Sequence, residues 1–169
     1  MPRDRNEETG LTEGCQGSWA LKYFTRQRYQ ANQKGSVVAA QAWDVAGAEY
    51  AAHLRSIEGL LTESIRPICA TKFHDAEVTG VDQSSSGSVR IVLDATSNPW
   101  GPRGIIQISF SGVAAFAQSG QVLGDTWLYH EVHLARCGFE LHVLLETSEF
   151  VIEAMSVVWE TAVEHSRTQ

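Results

Sequence analysis

Four side chains in the last third of the 169-residue chain have the types and spacing for chemistry: Glu131, His133, Glu140 and His142. Within each pair the residues are two apart, so on an extended strand they share a face. The segments that carry them, Thr126 to Leu134 and Phe139 to Glu146, alternate in polarity around Ala135-Arg136-Cys137-Gly138, which is a hairpin pattern. That loop sets Leu134 opposite Phe139, Val132 opposite Leu141, His130 opposite Val143 and Leu128 opposite Leu145. The other face then pairs His133 with Glu140, Glu131 with His142, Tyr129 with Leu144 and Trp127 with Glu146. A one-residue slip would carry the carboxylates into the core, so the pattern itself fixes the register.

Two imidazoles and a carboxylate (His133, His142, Glu131) form a ligand set suited to zinc or iron, and the same groups can act as general acid and base. A small metal-dependent or acid/base enzyme is therefore the alternative reading. Opposite-charge cross-strand pairs are ordinary on a solvated sheet face, however, and a flat face does not exclude water. The leading expectation is an acidic, mildly pH-sensitive surface on which Glu131, His133, Glu140 and His142 meet a protein partner. The second candidate is Asn98-Pro99-Trp100-Gly101-Pro102-Arg103, which sets an indole between two rigid prolines. Trp and Arg are favoured binding anchors, so Trp100 and Arg103 either contact a partner or the indole folds back as a lid on the core edge.

Other chemistry is not signalled. His74-Asp75 at a strand entry would point to opposite faces if extended, which prevents a carboxylate-to-imidazole hydrogen bond and favours a turn role. There is no Gly-x-Ser-x-Gly, and the one glycine-rich loop, Gly101 to Gly104, lacks the spacing of a phosphate cradle. Cys15, Cys69 and Cys137 are an odd, scattered set that reads as reduced thiols. No catalytic residue, metal or other cofactor is assigned on this reading.

The elements that must position these residues follow from periodicity. Trp43, Ala46, Tyr50, Leu54, Ile57, Leu61 and Ile65 recur at spacings of three and four, predicting a long amphipathic helix from Val37 to about Ile65, capped by Ser36 and stopped at Pro67. The aromatics from Leu21 to Tyr29 suggest a turn or two of helix before it. After Thr71 the period becomes two, and turn signals divide the remainder into six strands: Phe73 to Asp82, Ser88 to Asp94, Gly104 to Phe110 with an extension to Phe116, Thr126 to Leu134, Phe139 to Glu146, and Phe150 to Val158. Short connections favour antiparallel pairing. The expected fold is α+β, with the long helix packed on the apolar face of a six-stranded antiparallel sheet. It comprises one domain over 19–160 (helical part 19–66, sheet 72–159), flanked by polar tails at 1–18 and 161–169.

Charge narrows the partners. Residues 1–72 hold 9 Lys+Arg and 8 Asp+Glu, whereas residues 73–169 hold 4 Arg, no Lys and 12 Asp+Glu, within a total of -7. Such a balance opposes nucleic acid, and no apolar run is long enough for a membrane helix, so a cytoplasmic protein is expected. A homo-oligomer stays open.

Leu21-Lys22-Tyr23-Phe24-Thr25, Phe73-His74-Asp75-Ala76, Trp127 to Val132 and Phe139 to Leu145, in this order, resemble an uncharacterised bacterial domain-of-unknown-function family whose members open with a Lys-Tyr-Phe-Thr segment. The resemblance spans about Lys22 to Trp159, and the longer polar segment before Trp19 departs from it. It brings no activity or catalytic residues. The Phe-His-Asp-Ala strand start is also similar to bacterial toxin-immunity proteins, which implies a basic toxin as the partner of an acidic sheet.

Overall fold

The computed structural model describes residues 20–161; the expected tail at 1–18, Cys15, and residues 162–169 of the C-terminal tail lie outside them. Helices come first: α1 (Arg26–Gln33), α2 (Val37–Ile57) with a 3-10 turn at Glu58–Leu60, and α3 (Arg66–Ala70). Thr25 caps α1, its hydroxyl accepting the Arg28 N–H. Ser36 occupies the α2 N-cap position but makes no side-chain cap.

The helix expected to run to Ile65 ends at Ile57, and Pro67 lies in the first turn of α3 rather than stopping α2. Both corrections have one cause. Gly59 weakens the helix just where the chain must turn so that Ile57, Leu61, Ile65 and Ile68 can all reach the core, and a proline is tolerated where its missing N–H has no helical partner anyway.

Eight strands follow: β1 (Ala76–Ser84), β2 (Ser88–Asp94), β3 (Ile105–Ser111), β4 (Ala115–Ser119), β5 (Thr126–Leu134), β6 (Phe139–Leu145), β7 (Glu149–Ala154) and β8 (Ser156–Thr161). Every pairing is antiparallel, in the order β4-β7-β6-β5-β1-β2-β3-β8. The count is eight rather than six because two of the expected strands bend. Only Met155 separates β7 from β8, and only residues 112–114 separate β3 from β4. Since β3 pairs with β8 and β4 with β7, the two ends of the sheet are successive halves of the same long strand pair. The sheet therefore wraps round on itself as a barrel. Gly112 lies at the bend with φ +61, a left-handed conformation that suits glycine.

Closure changes what covers what. The apolar face expected beneath the helix lines the barrel interior, where Val78, Ile91, Ile108, Val132, Leu141, Val143 and Ile152 form one buried cluster. The residues from Ile57 to Ile68 join this cluster, whereas α2 itself lies over the opposite, polar face of β5. The wall is weakest between β1 and β5, whose ladder has only the pairs Ala76–Trp127 and Glu77–Thr126. Beyond Trp127 the β5 edge has no strand neighbour among the described residues, and side chains replace one: the Tyr50 hydroxyl accepts the Val132 N–H at 2.8 Å, and His53 Nε2 meets the Val132 carbonyl at 3.1 Å.

The β5–β6 hairpin pairs residues 129–134 with 139–144 in the expected register. It departs at Leu128, where a bulge moves Trp127 opposite Leu145 instead of Glu146. Leu128 thereby joins Leu21 and Leu144 in a small second cluster outside the barrel. The hairpin turn requires glycine at 138, which has φ +95 and would drive a Cβ into the Ala154 carbonyl. Gly138→Ala should lower stability by about 2 kcal/mol or more without changing the denaturant m-value, as read by urea unfolding; a loss under about 0.5 kcal/mol would contradict this packing.

Candidate functional site

Glu131 does not lie on an open surface. It is 0% exposed, and the chain from Leu21 to Phe24 crosses over it. Its Oε1 accepts the N–H groups of Tyr23 at 2.7 Å and Phe24 at 2.6 Å, and its Oε2 accepts that of Lys22 at 2.9 Å and lies 3.0 Å from His133 Nε2. Burial by itself raises the carboxyl pKa; His133 and the three N–H groups outweigh it and hold Glu131 below its ordinary value. The opening segment is thus tied down by the charge that sequence patterning assigned to a partner.

Around this clamp the aromatic rings close. Tyr23 stacks on His133 with centroids 6.3 Å apart, His53 lies 4.9 Å from His133, and His133 lies 5.0 Å from His142. Buried His142 directs Nε2 to Glu140 at 2.8 Å, while its Nδ1 meets no hydrogen-bond partner among the described residues. Of the six expected partner contacts, Glu131 and His142 are therefore buried, His133 and Glu140 are partly covered, and Trp100 and Arg103 are exposed. A solvated acidic face at Glu131 is corrected by this burial, whose cause is the crossing segment.

The metal alternative fares no better geometrically. Both Glu131 oxygens are already engaged, His142 and His133 turn their Nε2 atoms to different carboxylates, and among the described residues no three His, Cys, Asp or Glu side chains converge as a metal site. Cys69 and Cys137 are free thiols, and burial pushes Cys69 up to about 11, away from nucleophilic use at neutral pH.

Arg26 fastens the same segment further along, donating to the carbonyls of Leu145, Glu146 and Ser148 and pairing with Glu149 at 3.3 Å. Buried Asp125 holds the other side of that turn through Thr147 and Ser148. His130 packs in the core against Trp127 and Phe73, accepting the indole N–H on Nδ1 at 3.3 Å and directing Nε2 to the Ile68 carbonyl at 3.1 Å. Those partners fit the neutral ring, and burial pushes His130 down to about 4.

The accessible feature is elsewhere. Trp100 is 69% exposed, so it is not a lid. Its loop is nevertheless rigid. Asn98, 0% exposed, donates to the carbonyls of Lys72 and Pro102 and accepts the N–H groups of Trp100 and Gly101, while Arg103 donates to the Asn98 carbonyl. Gly101 is packed against the Lys72 carbonyl with no room for a Cβ. Between this loop, α3 and β5 lies a recess of about 530 Å³ whose lining includes Phe24, Lys72, His74, Trp100, Leu128 and Tyr129. His74 and Asp75 lie in a turn before β1, with Asp75 at φ +65; the imidazole Nδ1 meets the Leu128 carbonyl at 2.8 Å, and Nε2 is 3.4 Å from the Asp75 carboxylate. The pair does meet, because β1 begins at Ala76 and not at Phe73.

The sequence profile of a family described as a protein of unknown function, DUF4085, matches residues 24–154. The chain belongs to that family. In this DUF4085 member the match takes in the hairpin, the helices and the Trp100 loop but starts at Phe24, so two of the four residues of the Lys-Tyr-Phe-Thr opening precede it. No curated protein matches the chain. Among the described residues no helix is long and apolar enough to cross a membrane.

His130 and Glu131 separate by pH. An unfolded histidine protonates near pH 6.5 and folded His130 near 4, so the stability it contributes is complete above about 6.5 and is lost as pH falls towards 4. Glu131, with its pKa lowered in the fold, stabilises above about 4.3 and loses that contribution as pH falls below it. Urea unfolding from pH 7 to 3 should show both losses: His130→Gln should flatten the upper window, and Glu131→Gln should destabilise by about 3 kcal/mol at pH 7 and flatten the lower one. Unaltered slopes in both variants would contradict the burial described.

Proposed function

We propose that this DUF4085 protein is a non-enzymatic binding module that holds a protein partner through the Trp100 loop and the recess beside it. The observation that carries this reading is the combination of a 69% exposed indole with a fully buried Asn98 beneath it. Large aromatic side chains are the commonest binding anchors, and an anchor whose backbone is already fixed loses little further freedom on association. The recess lies within the roughly 300–1,000 Å³ span of ligand pockets and is walled mainly by aromatic and aliphatic groups.

An immunity-type inhibitor of a basic toxin is one form such a module can take. Glu140 and Glu153, directly opposite each other on β6 and β7, supply the negative charge that Glu131 does not offer. Complementary charge there would speed encounter, while the apolar recess would retain the partner.

Trp100→Ala tests the reading, because the side chain touches solvent and its removal should leave the melting midpoint nearly unchanged. Captured on wild-type protein at low salt, the partner should be retained in stoichiometric amount and lost from the Trp100→Ala variant, a weakening of about thirtyfold or more. Equal recovery on both would place recognition away from this loop.

A further inference from the structure

The chemistry of the recess goes one step beyond binding in general, and it rests on the proposal that the Trp100 loop is the recognition site. We propose that the recess takes the C-terminal residue of the partner chain, with its apolar or aromatic side chain against Trp100 and its free carboxylate beside Lys72.

Charge is the first reason. In a chain of net charge -7, the polar residues lining this recess are Thr71, Lys72, His74, Cys69, Tyr129 and His130, with no Asp or Glu among them. Asp75, which is not among the lining residues, lies 3.4 Å from His74 Nε2, while Nδ1 of the same ring meets the Leu128 carbonyl. Lys72 is also the last lysine of the chain, and the acidic part that follows it contains none. The apolar surface of Trp100, Phe24 and Leu128, in a recess that Lys72 also lines, fits a ligand that is apolar at one end and anionic at the other.

The open edge of β5 is the second reason, and it selects a peptide terminus over a simple acid. Alternation along an antiparallel strand sends the N–H and C=O of every second residue to the same edge. Val132 sends both of its groups to Tyr50 and His53, away from β6; those of His130, two residues earlier and in the same unbroken register, point the same way. His130 lines the recess. A terminal residue laid along this edge can accept the His130 N–H with its carboxylate and donate its own N–H to the His130 carbonyl, an addition of one residue to a strand edge. The β1–β5 ladder ends at Trp127, and among the described residues no strand pairs with this edge beyond it.

The probe is a hexapeptide ending in Phe, offered to the full chain as the free acid, as the C-terminal amide, and beside 3-phenylpropionate, with binding followed by calorimetry and by the amide resonance of His130. The free-acid peptide should bind at least tenfold tighter than the amide and than 3-phenylpropionate, and should shift the His130 amide. Lys72→Met should bring the acid down to the affinity of the amide, and Trp100→Ala should weaken both. Equal binding of acid and amide would overturn the carboxylate role; 3-phenylpropionate binding as tightly as the peptide would overturn the terminus in favour of a free acid. If no probe binds while partner capture still depends on Trp100, this inference falls and the binding module stands. If capture does not depend on Trp100, both fall.

Discussion

A single buried carboxylate organises the outer layer of this protein. Glu131 lies on the outside of the barrel wall, where a charge would ordinarily face water, and it is covered because three successive N–H groups of the opening segment are aimed at its two oxygens. A buried charge is tolerated only when its hydrogen-bonding capacity is filled, so the segment and the carboxylate require each other. Once Lys22, Tyr23 and Phe24 are fixed, Thr25 is in place to cap α1, Arg26 reaches the β6–β7 turn, and the rings of Tyr23 and Phe24 give α2 an aromatic surface to pack on. The helix that results then supplies Tyr50 and His53 to the open β5 edge.

This arrangement decides which polar groups of the hairpin are covered. The His/Glu face of the hairpin has the residue types of a metal or acid/base site, yet Glu131 is committed to His133 and to the main chain of the opening segment, and His142 directs Nε2 to Glu140. The exposed indole lies near the rim where the β1–β5 ladder stops. There the Asn98 hydrogen bonds fix a loop that would otherwise be free, and they hold an indole outward at the mouth of an apolar recess. Rigid backbone beneath an exposed aromatic ring is the physical basis of the binding reading.

Much of this was legible in the chain. The register of residues 129–134 against 139–144 followed from the polarity of alternate positions, and strand β2 and the β5 span were read with the boundaries observed. Closure of the barrel was not legible, because the bends at Gly112 and Met155 leave the alternation on either side intact. Nor does a period reveal which layer covers a strand: Glu131 alternates in and out identically whether the polar face meets water or a crossing segment. The signal that sequence reading passed over was the Leu21 to Phe24 stretch, whose two buried side chains, Leu21 and Tyr23, need a surface to lie on. Trp100 was found by its neighbours, since Asn98-Pro99 marks a turn, but its exposure depended on Asn98 reaching the distant Lys72 carbonyl, a contact no local pattern encodes.

The most direct measurement of the clamp is amide hydrogen exchange at Lys22, Tyr23 and Phe24, followed by NMR at neutral pH and then stepwise into acid. At neutral pH the three amides should exchange slowly, as main-chain groups bonded to a charged acceptor, and their protection should collapse together when Glu131 takes up a proton. Exchange at the rate of a free peptide at neutral pH would contradict the account, because it would leave the segment detached, the His/Glu face open to solvent, and the acid/base reading of that face restored.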